Sequence, residues 1–224
     1  MKRSEINNAI KWAIGFLKKA NVPLPCFGYW TKEQFENSRD NINAIKKVMQ
    51  GWDVTDFGSG DFSKTGAVLF TVRNGDVNDQ SAGTPYAEKY IMLKPGQGMP
   101  LHKHNMKTED IISRGGAAFE IRLYNSGNDG KPDPLSDINV YCDGIKKTYR
   151  AGEAITVTNG NSVTLKPGLY HTIRALSGAG DVLIGEVSSI NDDNTDNCFA
   201  EDVPRFSRIE EDEPAAYVLC NEYD

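Results

Sequence analysis

One stretch, residues 95–116, constrains this chain more than any other. Its sequence is PGQGMPLHKHNMKTEDIISRGG, which places His102 two residues before His104. Side chains alternate along a β-strand, so on a strand both imidazoles leave the same face. Glu109 follows after the polar segment 105–108, which is typical of a turn into the next strand. The pattern therefore predicts two strands joined by a short turn, with ligand-type side chains at the junction.

The third histidine, His171, lies far downstream at the end of the sequence KPGLYH, and all of the histidines fall in these two stretches. Three imidazoles and one carboxylate are a plausible ligand set for a divalent first-row metal. Taken alone, a His-x-His pair is common on exposed strands, and a single glutamate is more often a solvated acid. In combination they predict one metal site, with His102, His104, Glu109 and His171 as its ligands.

Glycines flank the first stretch at a defined spacing. Gly96 lies six positions before His102, and Gly116 lies seven after Glu109, which gives Gly-x5-His-x-His-x4-Glu-x6-Gly. This spacing resembles the first motif of the cupin superfamily at every defined position. The resemblance implies a metal-binding jelly-roll β-barrel.

The second cupin motif is matched less completely. Gly160, Gly168 and His171 stand at its expected separations. Its proline is displaced by one position, to Pro167, and Ala175 stands where the motif ends in asparagine. The metal ligand of the motif is retained.

Composition narrows the classes of partner and compartment. The net charge is −6, and no basic stripe appears, which argues against a nucleic-acid partner. No apolar run is long enough to span a bilayer, and the first residues lack the apolar core of a signal peptide. The four cysteines are scattered without a Cys-x-x-Cys, which is typical of free, reduced thiols. We therefore expect a cytoplasmic protein without a membrane partner.

The first part of the chain predicts helices. Residues 4–21 have an amphipathic helical pattern, with Ser4 as the expected cap. Pro23 and Pro25 end it, and the aromatic run 27–30 is expected to pack on the body of the fold.

A second helical region follows. Residues 31–34, TKEQ, have the form of a capping box, and the helical pattern runs on to about residue 50 with a break near Asp40. Gly51 is a plausible stop. We expect residues 1–51 to be a helical extension that covers a barrel formed by residues 52–224.

From residue 52 the sequence predicts short strands separated by turns rich in glycine and proline. Asn74-Gly75 is a strong hairpin signal, and residues 125–134 have the composition of a loop. Asp143-Gly144, between 138–142 and 145–149, predicts another hairpin. Many short strands without helical periodicity favour a mainly β, closed or double-sheet fold such as the cupin jelly roll. The expected strands are 67–73, 86–93, 117–124, 138–142, 145–149, 154–158, 162–165, 170–175 and 182–188.

The segment 188–197 is dense in asparagine and aspartate. Asp192, Asn194 and Asp196 match the first three ligand positions of an EF-hand loop. Asn197 stands where that loop needs glycine, and Val203 stands at its closing glutamate, so a calcium site is rejected. The segment is either a turn-rich loop or a loop that contacts substrate at the barrel mouth.

Several segments together resemble the D-lyxose isomerase family of cupins. They are AEK at 87–89, KTEDIISRGG at 107–116, GEVSSINDDNTDN at 185–197, and RF at 205–206. The resemblance covers most of the chain, and the run NDDNTDN is its most specific part. It implies an aldose–ketose isomerase that interconverts D-lyxose and D-xylulose, and also D-mannose and D-fructose. It further implies a homodimer and a divalent metal, commonly manganese, with zinc, iron and cobalt as alternatives.

Such a reaction is compatible with the residues. Four protein ligands on an octahedral ion leave two positions for adjacent sugar oxygens, and the ion then stabilises a cis-enediolate. A carboxylate must move the proton between C2 and C1. Glu201 is the first choice for this base and Glu186 the second, and Lys107 could assist at a substrate oxygen.

Three further residues are candidate sugar contacts: Lys89, Asp193 and Arg205. Each could equally belong to a surface ion pair, and Lys107 could equally be a solvated turn residue. Two other functions stay open at this point. Two histidines and a carboxylate also suit an iron-dependent cupin dioxygenase, and a cupin can bind sugar without catalysis.

Overall fold

The computed structural model describes residues 1–38, 42–193 and 195–223. Its helices lie near the N-terminus: α1 spans Arg3–Lys19, α2 spans Lys32–Asn37 and α3 spans Asn43–Lys47. Short 3-10 turns lie at Cys26–Tyr29 and Cys220–Glu222. The predicted break near Asp40 falls outside the described residues. No helix in the described part of the chain has both the length and the apolar character needed to cross a membrane.

The beginnings of the helices are only partly as predicted. Thr31 and Gln34 form the expected capping box at the start of α2. Ser4 is not the cap of α1, because Lys2 occupies that position without a side-chain bond. Instead Asp212, from the C-terminal part of the chain, accepts hydrogen bonds from both the Ser4 amide and its hydroxyl. A carboxylate distant in the sequence thus accepts hydrogen bonds from the first turn of α1. A local sequence pattern does not reveal this contact.

The remainder of the fold is built from strands. Their bounds are β1 Gly51–Thr55, β2 Ala67–Asp76, β3 Asp79–Leu93, β4 His102–His104, β5 Glu109–Gly116, β6 Phe119–Ser126, β7 Pro132–Asp133, β8 Ile138–Cys142, β9 Ile145–Tyr149, β10 Ile155–Val157, β11 Ser162–Leu165, β12 Tyr170–Ala175, β13 Val182–Ser189 and β14 Asn197–Phe199.

The described strands form two antiparallel sheets. The larger has the order β1-β2-β3-β13-β5-β11-β8-β9, and the smaller has the order β10-β6-β12-β4-β14, with β7 beside β6. Strands that are distant in the sequence, such as β13 and β5, are therefore neighbours in the larger sheet. The predicted mainly β, cupin-like fold is confirmed.

Two apolar clusters hold the layers together. The first lies between the sheets, where the inward positions of the strands alternate with polar outward positions. The second lies between α1 and the outer face of the larger sheet, where Ile10 and Leu17 pack in a cluster with Phe70 and Met92. The helix therefore covers one face of the barrel, and the opening of the barrel stays clear of it.

The predicted turn at Asn74-Gly75 is wrong. Both residues lie within β2, which continues to Asp76 and pairs with β3. A Cβ on Gly75 would overlap the carbonyl oxygen of Thr84, so the glycine allows a close approach of two backbones. The buried Asn74 amide donates to the carbonyl oxygens of Val48 and Asn191. The Asn-Gly pair thus connects distant segments, and the turn of the hairpin lies between Asp76 and Asp79.

Candidate active site

Two neighbouring strands bring the histidines together. His102 and His104 lie on β4, and His171 lies on β12 directly opposite His102 in the ladder. The rings of His102 and His171 are 4.2 Å apart between centroids, and all of the imidazoles are buried. One ring nitrogen from each lies within 4.8 Å of the others, so these histidines can hold a divalent metal ion.

The outer ring nitrogens are fixed by backbone carbonyls. Nδ1 of His102 lies 2.9 Å from the carbonyl oxygen of Pro100, and Nδ1 of His171 lies 3.3 Å from that of Leu169. A carbonyl oxygen only accepts, so in each ring Nδ1 carries the proton. The Nε2 atoms of both rings are then left with free lone pairs, which is the form that binds a metal.

Glu109 is the first residue of β5 and is buried beside the histidines. Its Oε1 lies 3.4 Å from Nε2 of His104 and 3.2 Å from Nε2 of His171. This oxygen has no hydrogen-bond partner among the described residues. Because Nε2 of His171 carries no proton, its lone pair faces a lone pair of Glu109 Oε1 with no hydrogen between them. A cation between them removes this conflict, so the donor set fits a metal ion on its own geometry.

The ionisation states agree with this fit. Burial lowers the pKa of His171 to about 4 and that of His102 well below its ordinary value. Both rings are therefore neutral at neutral pH. Burial alone would raise the pKa of Glu109, but Lys107 and His104 outweigh it and hold that pKa well below the ordinary range. Neutral imidazoles and a carboxylate are the metal-binding forms.

Lys107 connects Glu109 to a second carboxylate. Its Nζ lies 2.8 Å from Oε2 of Glu109 and donates to Oε1 of Glu186 at 2.7 Å and to Asn191 at 3.2 Å. Burial would lower the pKa of Lys107, but the two carboxylates raise it above its ordinary value. Lys107 is therefore an ammonium buried between two acids, and a solvated turn lysine is ruled out.

Asp196 organises the turn that carries Lys107. Its carboxylate accepts from the backbone amides of Asn105, Met106 and Lys107 at 2.9, 2.7 and 3.1 Å. Its Oδ2 also lies 3.8 Å from Nδ1 of His104. In the sequence, Asp196 stands out only as part of the rejected calcium motif, and the density of asparagine and aspartate in 188–197 is the signal that this segment is structured.

A second charged cluster adjoins this group, because Lys89 on β3 lies directly opposite Glu186 in the ladder with β13. Lys89 and Arg205 both contact Asp193, at 3.4 and 3.3 Å, and Nη2 of Arg205 lies 2.7 Å from Asp53. Burial would raise the pKa of Asp193, but Arg205 and Lys89 hold it well below the ordinary range. Nη1 of Arg205 is buried without a hydrogen-bond partner among the described residues. This leaves one guanidinium donor available at the cavity wall.

The cavity that these groups surround has a volume of about 30 Å³. Nine of the ten predicted site residues line it, namely Lys89, His102, His104, Lys107, Glu109, His171, Glu186, Asp193 and Arg205. Glu201 does not line it, since its side chain is exposed in a groove on the outer surface. The sequence missed the apolar wall formed by Phe57, Met99 and Phe199, because those residues carry no ligand chemistry.

Fold and site together define a cupin-like barrel whose buried histidines can hold a metal ion. The chain belongs to the D-lyxose isomerase family, whose model matches residues 1–223, and it is therefore a sugar isomerase. It is 42% identical to the D-lyxose/D-mannose isomerase of Escherichia coli O157:H7, across 100% of this chain and 98% of that protein. It is 38% identical to the enzyme of the same name from Serratia proteamaculans, with the same coverage of both chains.

Solved structures of lower identity share the fold. An L-ribose isomerase from Acinetobacter sp. DL28, in complex with L-ribose, superposes with a TM-score of 0.60 at 14% identity, covering 90% of this chain and 93% of that one. The L-ribose isomerase of Cellulomonas parahominis, also with L-ribose, gives 0.59 at 14% identity, with coverage of 94% and 98%. The family that the sequence motifs predict is confirmed.

Proposed function

We propose that this protein is a metal-dependent aldose–ketose isomerase that converts D-lyxose to D-xylulose and also acts on D-mannose. The names of the two curated relatives support these substrates. One structural observation carries the chemistry: the unpartnered Oε1 of Glu109 faces the histidine Nε2 atoms, and its other oxygen contacts the Lys107–Glu186 pair. A cation site and an acid–base pair thus share one wall of the cavity.

We propose manganese as the metal, held by His102, His104, Glu109 and His171. Mixed nitrogen and oxygen ligands suit manganese, and zinc, iron and cobalt accept the same set. When bound, such an ion polarises the sugar carbonyl and stabilises the negative charge that develops on adjacent oxygens during isomerisation.

We propose Glu186, in place of Glu201, as the base that moves the proton from C2 to C1 through a cis-enediolate. Glu186 lies on β13 with its carboxylate buried in the cavity wall, 2.7 Å from Lys107. Lys107 donates to this carboxylate and orients it, and its ammonium can donate to a substrate oxygen. Glu201 is exposed to solvent, so in this arrangement it cannot reach a proton on a sugar held at the histidines.

The neighbouring ion cluster of Lys89, Asp193 and Arg205 supplies contacts for the remaining hydroxyl groups. Arg205 offers the unpartnered Nη1, and Lys89 and Asp193 offer a donor and an acceptor at the end of the same ion cluster. Buried charged groups that are held in place by one another can recognise hydroxyl groups with little reorganisation.

The assembly and compartment stay proposals. We propose a cytoplasmic homodimer. The described cysteines are all free, which supports a reducing compartment. Light scattering at micromolar concentration should give twice the mass of one chain, and a monomer would contradict the dimer.

A sugar panel tests the function. The metal-free protein should show no turnover, and added Mn²⁺ should restore isomerisation of D-lyxose and, more slowly, D-mannose. His171→Ala should lose both bound metal and activity. Oxygen uptake by the iron-loaded protein would favour a dioxygenase, and sugar binding without turnover would favour a binding protein. Full metal occupancy in His171→Ala would refute the ligand assignment.

A further inference from the structure

The cavity at the histidines is much smaller than a sugar. Its volume of about 30 Å³ lies far below the roughly 300–1,000 Å³ of small-molecule sites. A pentose has about ten non-hydrogen atoms and needs several times this volume. Some part of the wall must therefore move before a monosaccharide can occupy the site.

Among the described residues, one side of the cavity is formed by aromatic side chains outside the close-packed core between the sheets. Ile91, Ile111 and Ile173 belong to strands in the close-packed core between the sheets, where movement would disrupt many contacts. The other side is formed by Phe57, on the loop after β1, and by Phe199, at the end of β14. This aromatic side is the part of the wall that can give way.

A larger groove lies directly behind these aromatics. Its volume is about 510 Å³, within the range of small-molecule sites, and it shares Phe57 and Met99 with the inner cavity. Arg174, Glu201 and Ser59 add polar groups to its lining. Aldoses exist in water chiefly as closed rings that carry hydroxyl groups on an apolar frame. A groove of mixed aromatic and polar lining fits such a ring.

Phe57 lines both the groove and the cavity, and Phe199 lies behind it on the cavity side. Phe57 and Phe199 meet edge to face at 5.9 Å, and Phe199 lies 5.6 Å from the ring of His102. Phe57 has a φ of 51°, which is a costly backbone conformation for a bulky residue. Strain of this kind persists only where the surroundings hold it, and here it holds the ring across the route to the histidines.

The surroundings of Phe57 belong to the C-terminal segment. Thr55 accepts from the Phe57 amide at 2.9 Å and donates to the carbonyl oxygen of Arg205 at 3.0 Å. Ser207 also bonds to Asp56 in the same loop. The loop that carries Phe57 is therefore hydrogen-bonded to the segment that follows Phe199, so both rings can move as a unit.

We propose that the outer groove is an entry site for the closed-ring monosaccharide, and that Phe57 and Phe199 form a movable partition between it and the inner cavity. This inference rests on the proposed function for the identity of the sugar. The partition itself can be tested without any sugar, so the two can fail separately.

The test of the partition is the access of a chelator to the metal. Cobalt(II)-loaded protein is mixed with dipicolinate, a flat chelator of about the size of a sugar ring, and the loss of the cobalt absorbance is followed. Phe199→Ala should release cobalt at least tenfold faster than the unchanged protein, with the equilibrium affinity for cobalt preserved. Phe27→Ala is the matched control, because Phe27 is also partly buried and stacks on a single ring, that of Phe70, elsewhere in the fold.

The groove is tested by filling it. Ala200 is exposed in its lining and makes its hydrogen bond through the backbone, so Ala200→Trp adds bulk without removing a side-chain contact. This variant should lower both the rate of cobalt capture and the kcat/KM for D-lyxose at least fivefold. Ala179→Trp, in an exposed turn, is the control.

Two results would overturn the inference. Unchanged cobalt release in Phe199→Ala would show that the partition does not control access, and Phe199→Leu gives a second reading if the alanine variant fails to fold. Unchanged capture and unchanged kcat/KM in Ala200→Trp would show that sugars enter elsewhere. Loss of sugar turnover in every protein, with the predicted change in cobalt release, would refute the proposed function and leave the partition standing.

Discussion

At the scale of single residues, the site depends on one ammonium between two buried carboxylates. Lys107 contacts Glu109 at 2.8 Å and Glu186 at 2.7 Å, and all three side chains are almost fully buried. Removing one member of such a group leaves the others as uncompensated buried charges. The ammonium outweighs burial and holds the pKa of Glu109 below its ordinary range, and it also orients the carboxylate of Glu186.

We therefore expect Lys107→Met to destabilise the metal-free protein by about 3–5 kcal/mol. Urea unfolding monitored by fluorescence measures this loss. Added metal should recover part of it, because an ion beside Glu109 supplies positive charge again. A loss below about 1 kcal/mol would mean that the ammonium does not compensate the two carboxylates.

A second residue-scale prediction concerns Asp196, which positions the loop of Lys107 and lies beside Nδ1 of His104, but is not among the proposed metal ligands. Asp196→Asn should weaken metal affinity by about 10–100-fold, as loss of an orienting partner typically does. Asp143→Asn is the matched control, since Asp143 also accepts from a backbone amide, that of Ser162, and two side chains in another turn. Titration calorimetry measures the metal affinity. An equal loss in both variants would show that Asp196 has only a general structural role.

At the scale of elements, the sequence predicted best those features whose signals lie close together in the chain. The strands that carry the histidines follow directly from their spacing, and the hairpin of β8 and β9 follows from Asp143-Gly144. The signals at Ser4 and Asn74-Gly75 were misread because their partners are distant in sequence. The sequence favoured Glu201 over Glu186 as the base, since only the pairing of β13 with β5 shows which acid faces the cavity.

At the scale of the whole molecule, the C-terminal segment joins parts that the barrel alone does not connect. Arg3 of α1 is buried and pairs with Glu211 at 2.6 Å and with Glu222. The same segment carries Arg205 to the cavity wall and Ser207 to the loop of Phe57. The helices, the loop of Phe57 and the site are thus one connected structure.

The buried histidines make global stability depend on pH. The pKa of His171 is about 4 in the folded protein, against about 6.5 in the unfolded chain. Between these values the unfolded chain binds more protons, so stability falls as pH falls. The metal-free protein should lose about 2 kcal/mol from this residue between pH 7 and 5, at ~1.4 kcal/mol for each unit below 6.5.

The pKa of His102 is lowered in the same direction, so its loss adds to that of His171. Urea unfolding at several pH values measures the slope. His171→Gln should flatten it, since glutamine does not titrate. A metal-free protein whose stability is constant from pH 7 to 5 would contradict the neutral, buried state of these imidazoles.

The central claim is that a carboxylate inside the cavity, Glu186, carries the proton between sugar carbons. The most direct measurement is isomerisation of D-lyxose in deuterated water with manganese-loaded protein, followed by mass and NMR analysis of the product. The account predicts deuterium at C1 with the unchanged protein. Glu186→Gln should keep its metal and lose about 10²–10⁴-fold in kcat. Glu201→Gln should keep kcat within about threefold, whatever its KM. Product without deuterium, formed at an unchanged rate by Glu186→Gln, would show that hydrogen moves as hydride and would contradict the account.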